Sequence, residues 1–242
     1  MKFIPTLFSK NTRRFIALFA MTGAVISLSS CTKNEFQPQP EVSGLMVFNA
    51  SPVQNSIDFL FAGQKVNTSP LLFGQKIDYV KAYSGVRNVS IVNTTNSQTI
   101  KSSDITLKNG LYHSLFVLTS GDSTSFYNVV DSVAYGSSDK GRVRFINLAA
   151  DAPAYKIEIE GDTATFAPRA YKALTPFKAV TAKTTAKIFL KAPATNEIVA
   201  TLENVELKRD GFYTIWVKGL VNATVDAQKI SLQVSKHEFL RY

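Results

Sequence analysis

A segment of this chain occurs twice, and the duplication constrains the fold more than any other feature. Leu45-Met-Val-Phe-Asn49, a Ser51-Pro52 turn and Ile57-Asp-Phe-Leu-Phe-Ala-Gly63 return as Arg142-Val-Arg-Phe-Ile-Asn147, Asp151-Ala-Pro153 and Tyr155-Lys-Ile-Glu-Ile-Glu-Gly161. A shift of 98 positions superposes Asn49 on Asn147, Phe59 on Ile157, Phe61 on Ile159 and Gly63 on Gly161 without a gap. Two copies of one domain are therefore expected.

Within each copy, β-branched and aromatic residues alternate at period two between Gly, Pro, Asn and Ser clusters, and no stretch keeps a helical period over three turns. Strands are predicted near 44–49, 57–61, 76–82, 87–93, 99–107, 112–119 and 125–130. In the second copy they are predicted near 142–147, 156–160, 177–182, 186–191, 198–207, 212–218 and 230–234. Seven short strands per copy predict an all-β chain of two tandem antiparallel sandwiches, immunoglobulin-like or transthyretin-like. The bounds are 44–134 and 141–242, joined by a linker at 135–140 whose length suggests partial freedom between them.

A second shared landmark is Leu107-Lys-Asn-Gly-Leu-Tyr112 against Leu207-Lys-Arg-Asp-Gly-Phe-Tyr213. Matched on Gly-x-Tyr, it resembles the tyrosine corner of Greek-key sandwiches, which would make Tyr112 and Tyr213 internal braces. Alternation then puts Tyr112, Ser114, Phe116 and Leu118 in one core and Tyr213, Ile215 and Val217 in the other. His113 then aligns with Thr214, and Trp216 and Phe212 face the neighbouring domain or solvent.

The N-terminus has to be set aside first. Lys2, Lys10, Arg13 and Arg14 precede an apolar run of 14 residues, Phe15 to Leu28, too short for the roughly 20 residues of a membrane-spanning helix. Leu28-Ser-Ser-Cys31 follows and resembles the lipobox of bacterial lipoproteins. That resemblance implies cleavage after residue 30, a signal peptide at 1–30, acylation of Cys31, and an outer-membrane protein, periplasmic or surface-exposed. Cys31 is the only cysteine, so lipidation also accounts for a solitary thiol in a secreted chain. Residues 31–43, polar and punctuated by Pro, read as a tether.

These features together resemble the bacterial family called domain of unknown function 4397, in two copies. The resemblance implies an all-β fold in a Bacteroidota-type lipoprotein and supplies no catalytic residues. Removal of the signal leaves 23 basic and 18 acidic residues, with 15 basic and 10 acidic of them in 141–242. An excess that small argues against nucleic acid.

The chemistry sought in the sequence is thin. His113 and His237 without a usable Cys cannot make a zinc set, so no metal and no cofactor is expected. Glu158 and Glu160 share one face of a strand whose other face is Ile157 and Ile159, which reads as a solvated side rather than a glycosidase pair. Asp151 and Asp162 lack the calcium-loop cadence. Asp122-Ser-Thr124, Asp131-Ser-Val133 and Asp162-Thr-Ala164 resemble Bacteroidota O-glycosylation acceptors. The expectation is a non-catalytic binding or display module, the alternative a polysaccharide-active enzyme with a loop-built site. If a ligand binds, Lys183, Lys187, Phe189 and Lys191 should form a face for an acidic glycan or envelope polymer, unless the lysines merely guard an edge strand.

Overall fold

The computed structural model describes residues 40–133 and 139–240. The signal segment, Cys31, residues 31–39 of the tether and most of the linker lie outside the described residues.

The first half runs through β1 (Val42–Asn49), β2 (Ser56–Phe61), β3 (Gln64–Lys65), β4 (Leu71–Leu72), β5 (Lys76–Tyr83), β6 (Gly85–Asn93), β7 (Thr99–Leu107), β8 (Tyr112–Ser120) and β9 (Ser123–Asp131). The second half runs through β10 (Lys140–Asn147), β11 (Lys156–Ile159), β12 (Lys178–Thr181), β13 (Lys183–Lys191), β14 (Ile198–Leu207), β15 (Phe212–Lys218) and β16 (Ser231–Lys236). The two short strands β3 and β4 carry no alternation that a sequence reading can detect.

Each half has an inner sheet, ordered β5-β1-β8-β9 or β12-β10-β15-β16, and an outer sheet, ordered β3-β2-β6-β7 or β11-β13-β14. The repetition of strand order is the structural counterpart of the repeated sequence. Most pairings are antiparallel, but β1 runs parallel to β8 and β10 parallel to β15.

Among the described residues, three apolar layers separate four sheets. One, with Leu45, Val47, Ile57, Phe59, Val89, Ile91, Leu115 and Val117, fills the first sandwich. Another, with Val143, Phe145, Ile157, Ile188, Leu190, Tyr213, Ile215 and Val217, fills the second. The third lies between the inner sheets and joins Met46, Phe48, Tyr112, Phe116 and Leu118 of the first half to Ile146, Leu148 and Trp216 of the second. Phe48 stacks on Phe116 at 4.5 Å and meets Trp216 edge-on at 5.9 Å.

This third layer replaces the expected freedom between halves: the described residues from Pro40 onward fall in one compact unit. It also explains why β1, β8 and β15 read as nearly unbroken apolar runs. A strand covered on both faces needs apolar side chains at odd and even positions alike. Leu45 and Val47 point one way from β1, while Met46 and Phe48 point the other way into the shared layer.

Candidate functional site

A closed circuit of polar side chains is buried in that shared layer. Asp131 ends β9, Ser114 lies on β8 and Tyr79 on β5, all from the first half. Arg144 lies on β10, Thr214 on β15 and His237 just beyond β16, all from the second. None of the six is more than 5% exposed. Arg144 Nη2 lies 2.7 Å from Asp131 Oδ1 and 3.0 Å from Ser114 Oγ, and Ser114 in turn donates to the Asp131 carboxylate. Arg144 Nε donates to Thr214 Oγ1 at 2.8 Å, Thr214 Oγ1 lies 2.7 Å from His237 Nε2, and His237 Nδ1 lies 2.7 Å from the Tyr79 hydroxyl. Tyr79 closes the ring by donating to Asp131 Oδ2 at 2.5 Å.

Counting protons fixes the imidazole. The Tyr79 hydrogen is committed to Asp131, so Tyr79 oxygen accepts from His237 Nδ1–H. Nε2 then accepts the Thr214 hydrogen, and the ring is neutral. Burial and the neighbouring Arg144 guanidinium, against the pull of Asp131, hold His237 down to about 3. Burial, then Asp131, pushes the Tyr79 hydroxyl far above its usual range. Arg144 also lies 4.9 Å over the Phe177 ring. The guanidinium, carboxylate, hydroxyls and imidazole resemble an active site in composition, but their polar atoms satisfy one another across the seam.

The sequence reading missed Arg144, Ser114, Thr214 and Asp131 as a set. A signal was present: Thr214 interrupts the apolar run of β15 and Arg144 stands between Val143 and Phe145 on β10, both at positions facing the shared layer. Such interruptions in doubly buried strands need buried partners.

The two corners required a correction. Lys208 N–H donates to the Tyr213 hydroxyl at 2.8 Å, a corner as expected, but the matching Lys108 N–H donates to His113 Nε2 at 3.0 Å. His113 Nδ1 faces Asn128 Oδ1 at 3.2 Å, and burial lowers the pKa of its ring. The structural partner of Tyr213 is therefore His113, and that of Tyr112 is Phe212, because the pairing of β1 with β8 and of β10 with β15 aligns them. Tyr112 belongs to the shared layer, and its hydroxyl donates to Leu240 O at 2.6 Å. Trp216 meets the other half and is fully buried.

The lysine face is brought together. On β13, Ile188 and Leu190 point inward, and Lys187, Phe189 and Lys191 point outward. Yet β13 is the middle strand of its sheet, which overturns the edge-guard alternative. Lys187 pairs with Glu203 at 3.0 Å and Lys191 with Glu158 at 2.6 Å, while Lys183 donates to the Glu160 carbonyl. Lys191 also lies 5.6 Å over the Phe189 ring.

The aspartates considered for calcium serve the backbone. Asp151 accepts from the N–H groups of Val221 and Asn222, and Asp162 from those of Ala164 and Thr181. Of the three candidate glycosylation acceptors, Ser123, Ser132 and Thr163 are exposed, but Asp131 beside Ser132 is buried in the circuit.

A search of curated proteins gives no match. Among solved structures, a family 26 carbohydrate-binding module from Eubacterium rectale, crystallised with maltoheptaose, aligns at 8% identity over 82% of this chain and 98% of its own, with a TM-score of 0.28. A streptococcal virulence factor described as binding alpha-glucan aligns at 9% identity over 70% and 92%, with a TM-score of 0.23. A candidate cell adhesion protein from Parabacteroides distasonis ATCC 8503 aligns at 8% identity over 83% and 100%, with a TM-score of 0.22. These are distant likenesses, and the glucans belong to those proteins. One family matches the sequence itself, Domain of unknown function (DUF4397), over residues 43–158, which span the first sandwich and the opening strands of the second.

Proposed function

We propose that the chain is a lipid-anchored, non-catalytic binding or display module of a bacterial envelope, held in the outer membrane through acylated Cys31 and built from two modules of the matching family. Leu28-Ser-Ser-Cys31, the basic and apolar segments before it and the absence of any second cysteine support the anchor. Acyl chains contribute about 0.8 kcal/mol per buried methylene, so a multiply acylated Cys31 would hold the protein stably.

The observation that carries the binding reading is the buried circuit. Among the described residues, the constellation with the composition of an active site is consumed in bolting two sandwiches together, and strand faces, grooves and loops are the places of contact. An acidic glycan or envelope polymer is the ligand class in keeping with the basic surplus of the second half. On the β13 face, however, a polyanion would have to displace Glu158 and Glu203 from Lys191 and Lys187. In cells fed labelled palmitate, the wild-type chain should take up label and fractionate with membranes, and Cys31→Ser should do neither. Membrane retention of an unlabelled Cys31→Ser variant would sink the anchor.

A further inference from the structure

The repeat exposes a second place where an acidic ligand fits. In the second half, the gap between the ends of the two sheets is closed by Asp162, whose Oδ2 accepts the Thr181 N–H at 2.7 Å. The same 98-residue shift that relates the copies puts Gln64 at the position of Asp162 and Tyr83 at that of Thr181. Strand pairing confirms the second equivalence, since Val42 faces Tyr83 as Lys140 faces Thr181. In the first half this gap is open: a groove of about 420 Å³, with Phe61, Val66 and Ala82 as its apolar lining and Gln64, Lys81 and Tyr83 around them.

The backbone there is poised in the same way. Ser84 N–H bonds to Glu41 O, so the Tyr83 N–H and C=O point to the opposite, free edge of β5. The Tyr83 C=O accepts from Arg87 Nε, which bears out that orientation. The N–H that is answered by a carboxylate in the second half thus meets the groove in the first. Tyr83 itself is 60% exposed, an aromatic at the rim.

We infer that this groove binds a carboxylate-bearing sugar, a uronate unit of an acidic glycan, whose carboxylate accepts the Tyr83 N–H as Asp162 accepts that of Thr181 and whose ring packs on Phe61 and Tyr83. Asp162 is the molecule's own demonstration that a carboxylate fits at this position. A sugar is favoured over an extended peptide because the β1–β5 register shifts between Leu45 and Val47. The regular free edge of β5 beyond that shift is too short for strand addition. This assignment rests on the binding-module reading and moves its ligand site from the β13 face to the first half.

The test uses the full chain in detergent with trigalacturonate as probe, and maltotriose and hexaglutamate as comparators, by calorimetry. Trigalacturonate should bind, more weakly as salt rises, with neither comparator matching it. Gln64→Asp should install the internal carboxylate, close the groove and weaken binding about tenfold or more, with thermal melting unchanged or raised. Tyr83→Ala, at an exposed side chain, should also weaken it. Undiminished binding by Gln64→Asp would overturn the site, equal binding of maltotriose the carboxylate, and equal binding of hexaglutamate the sugar. No binding of trigalacturonate overturns the assignment as a whole, and palmitate uptake by Cys31 then shows whether the anchored-module reading survives it.

Discussion

The two halves share a strand order but differ at equivalent points, and the differences separate what the fold requires from what each copy has been free to vary. At the corner, a backbone N–H five residues before the bracing side chain needs an acceptor, and a tyrosine hydroxyl and a histidine nitrogen both supply it. What changes is the room around it. A Cβ on Gly211 would come within 2.7 Å of the Tyr213 ring, whereas Leu111 occupies the same place beside the smaller His113. The left-handed position before it is filled by Gly110 at φ 70° in one half and Asp210 at φ 57° in the other. Both residue types tolerate that region at modest cost.

The largest test of the joined halves is the ion pair that crosses between them. Arg144→Met should leave Asp131 buried without its cation and cost about 3–5 kcal/mol in denaturant unfolding. Arg144→Met combined with Asp131→Leu should recover part of that loss. If the single variant unfolds like the wild type, the halves are not held by this pair.

Acid should act on the same seam. The His237 pKa is lowered in the folded state from 6.5 to about 3, so the neutral ring is the folded form. Stability from this group is fully present above pH 6.5 and is lost as pH falls toward about 3, by about 1.4 kcal/mol per pH unit. His113 adds in the same direction, because its Nε2 accepts the Lys108 N–H only when unprotonated. Urea unfolding at pH 7, 5.5 and 4.5 reads the slope, and a flat profile through that range would contradict a neutral buried imidazole at position 237.

Most strand spans were legible in the sequence, because alternation and turn residues bound a strand whatever its neighbours. The joining of the halves was not. Continuous apolar runs such as Leu45-Met-Val-Phe48 are consistent with double burial, but nothing local in them says what covers the second face. The one-residue slip between Tyr112 and His113 has a definite cause: aligning on glycine matched Gly110 to Gly211, when the conformation that Gly110 supplies is supplied by Asp210. Alternation alone places Lys187, Phe189 and Lys191 on one side of β13. The pairing of this face with Glu158 and Glu203 was hidden because those residues lie on other strands, 33 positions before Lys191 and 16 after Lys187.

The corners should respond less than the ion pair. Tyr213→Phe and His113→Phe each strand a backbone N–H and should cost about 1–3 kcal/mol. His113→Tyr carries an added requirement. It should be tolerated only together with Leu111→Gly, because the larger ring needs the space that glycine leaves beside Tyr213. An equal melting temperature for His113→Tyr with and without Leu111→Gly would show that the two corners do not differ in the way their glycines indicate.

The smallest effect belongs to Tyr112, which a sequence alignment on Gly-x-Tyr makes the equal of Tyr213. Its ring is packed over Gly44, where an added Cβ would lie 2.3 Å from Tyr112 Cδ1, and it meets Tyr79 at 4.9 Å and Phe239 at 4.8 Å. Tyr112→Phe keeps all of that packing and removes the hydroxyl bond to Leu240 O. That carbonyl lies in a partly exposed terminal segment, so water can replace the lost donor, and the cost should be about 0.5–1.5 kcal/mol. Gly44→Ala, by contrast, should displace the ring and destabilise more than Tyr112→Phe does. The ordering is what matters: a Tyr112→Phe loss as large as that of Tyr213→Phe would restore Tyr112 as a corner, and a smaller one, with faster hydrogen exchange at the backbone amides of 237–240, places it as a clasp between β8 and the C-terminal segment.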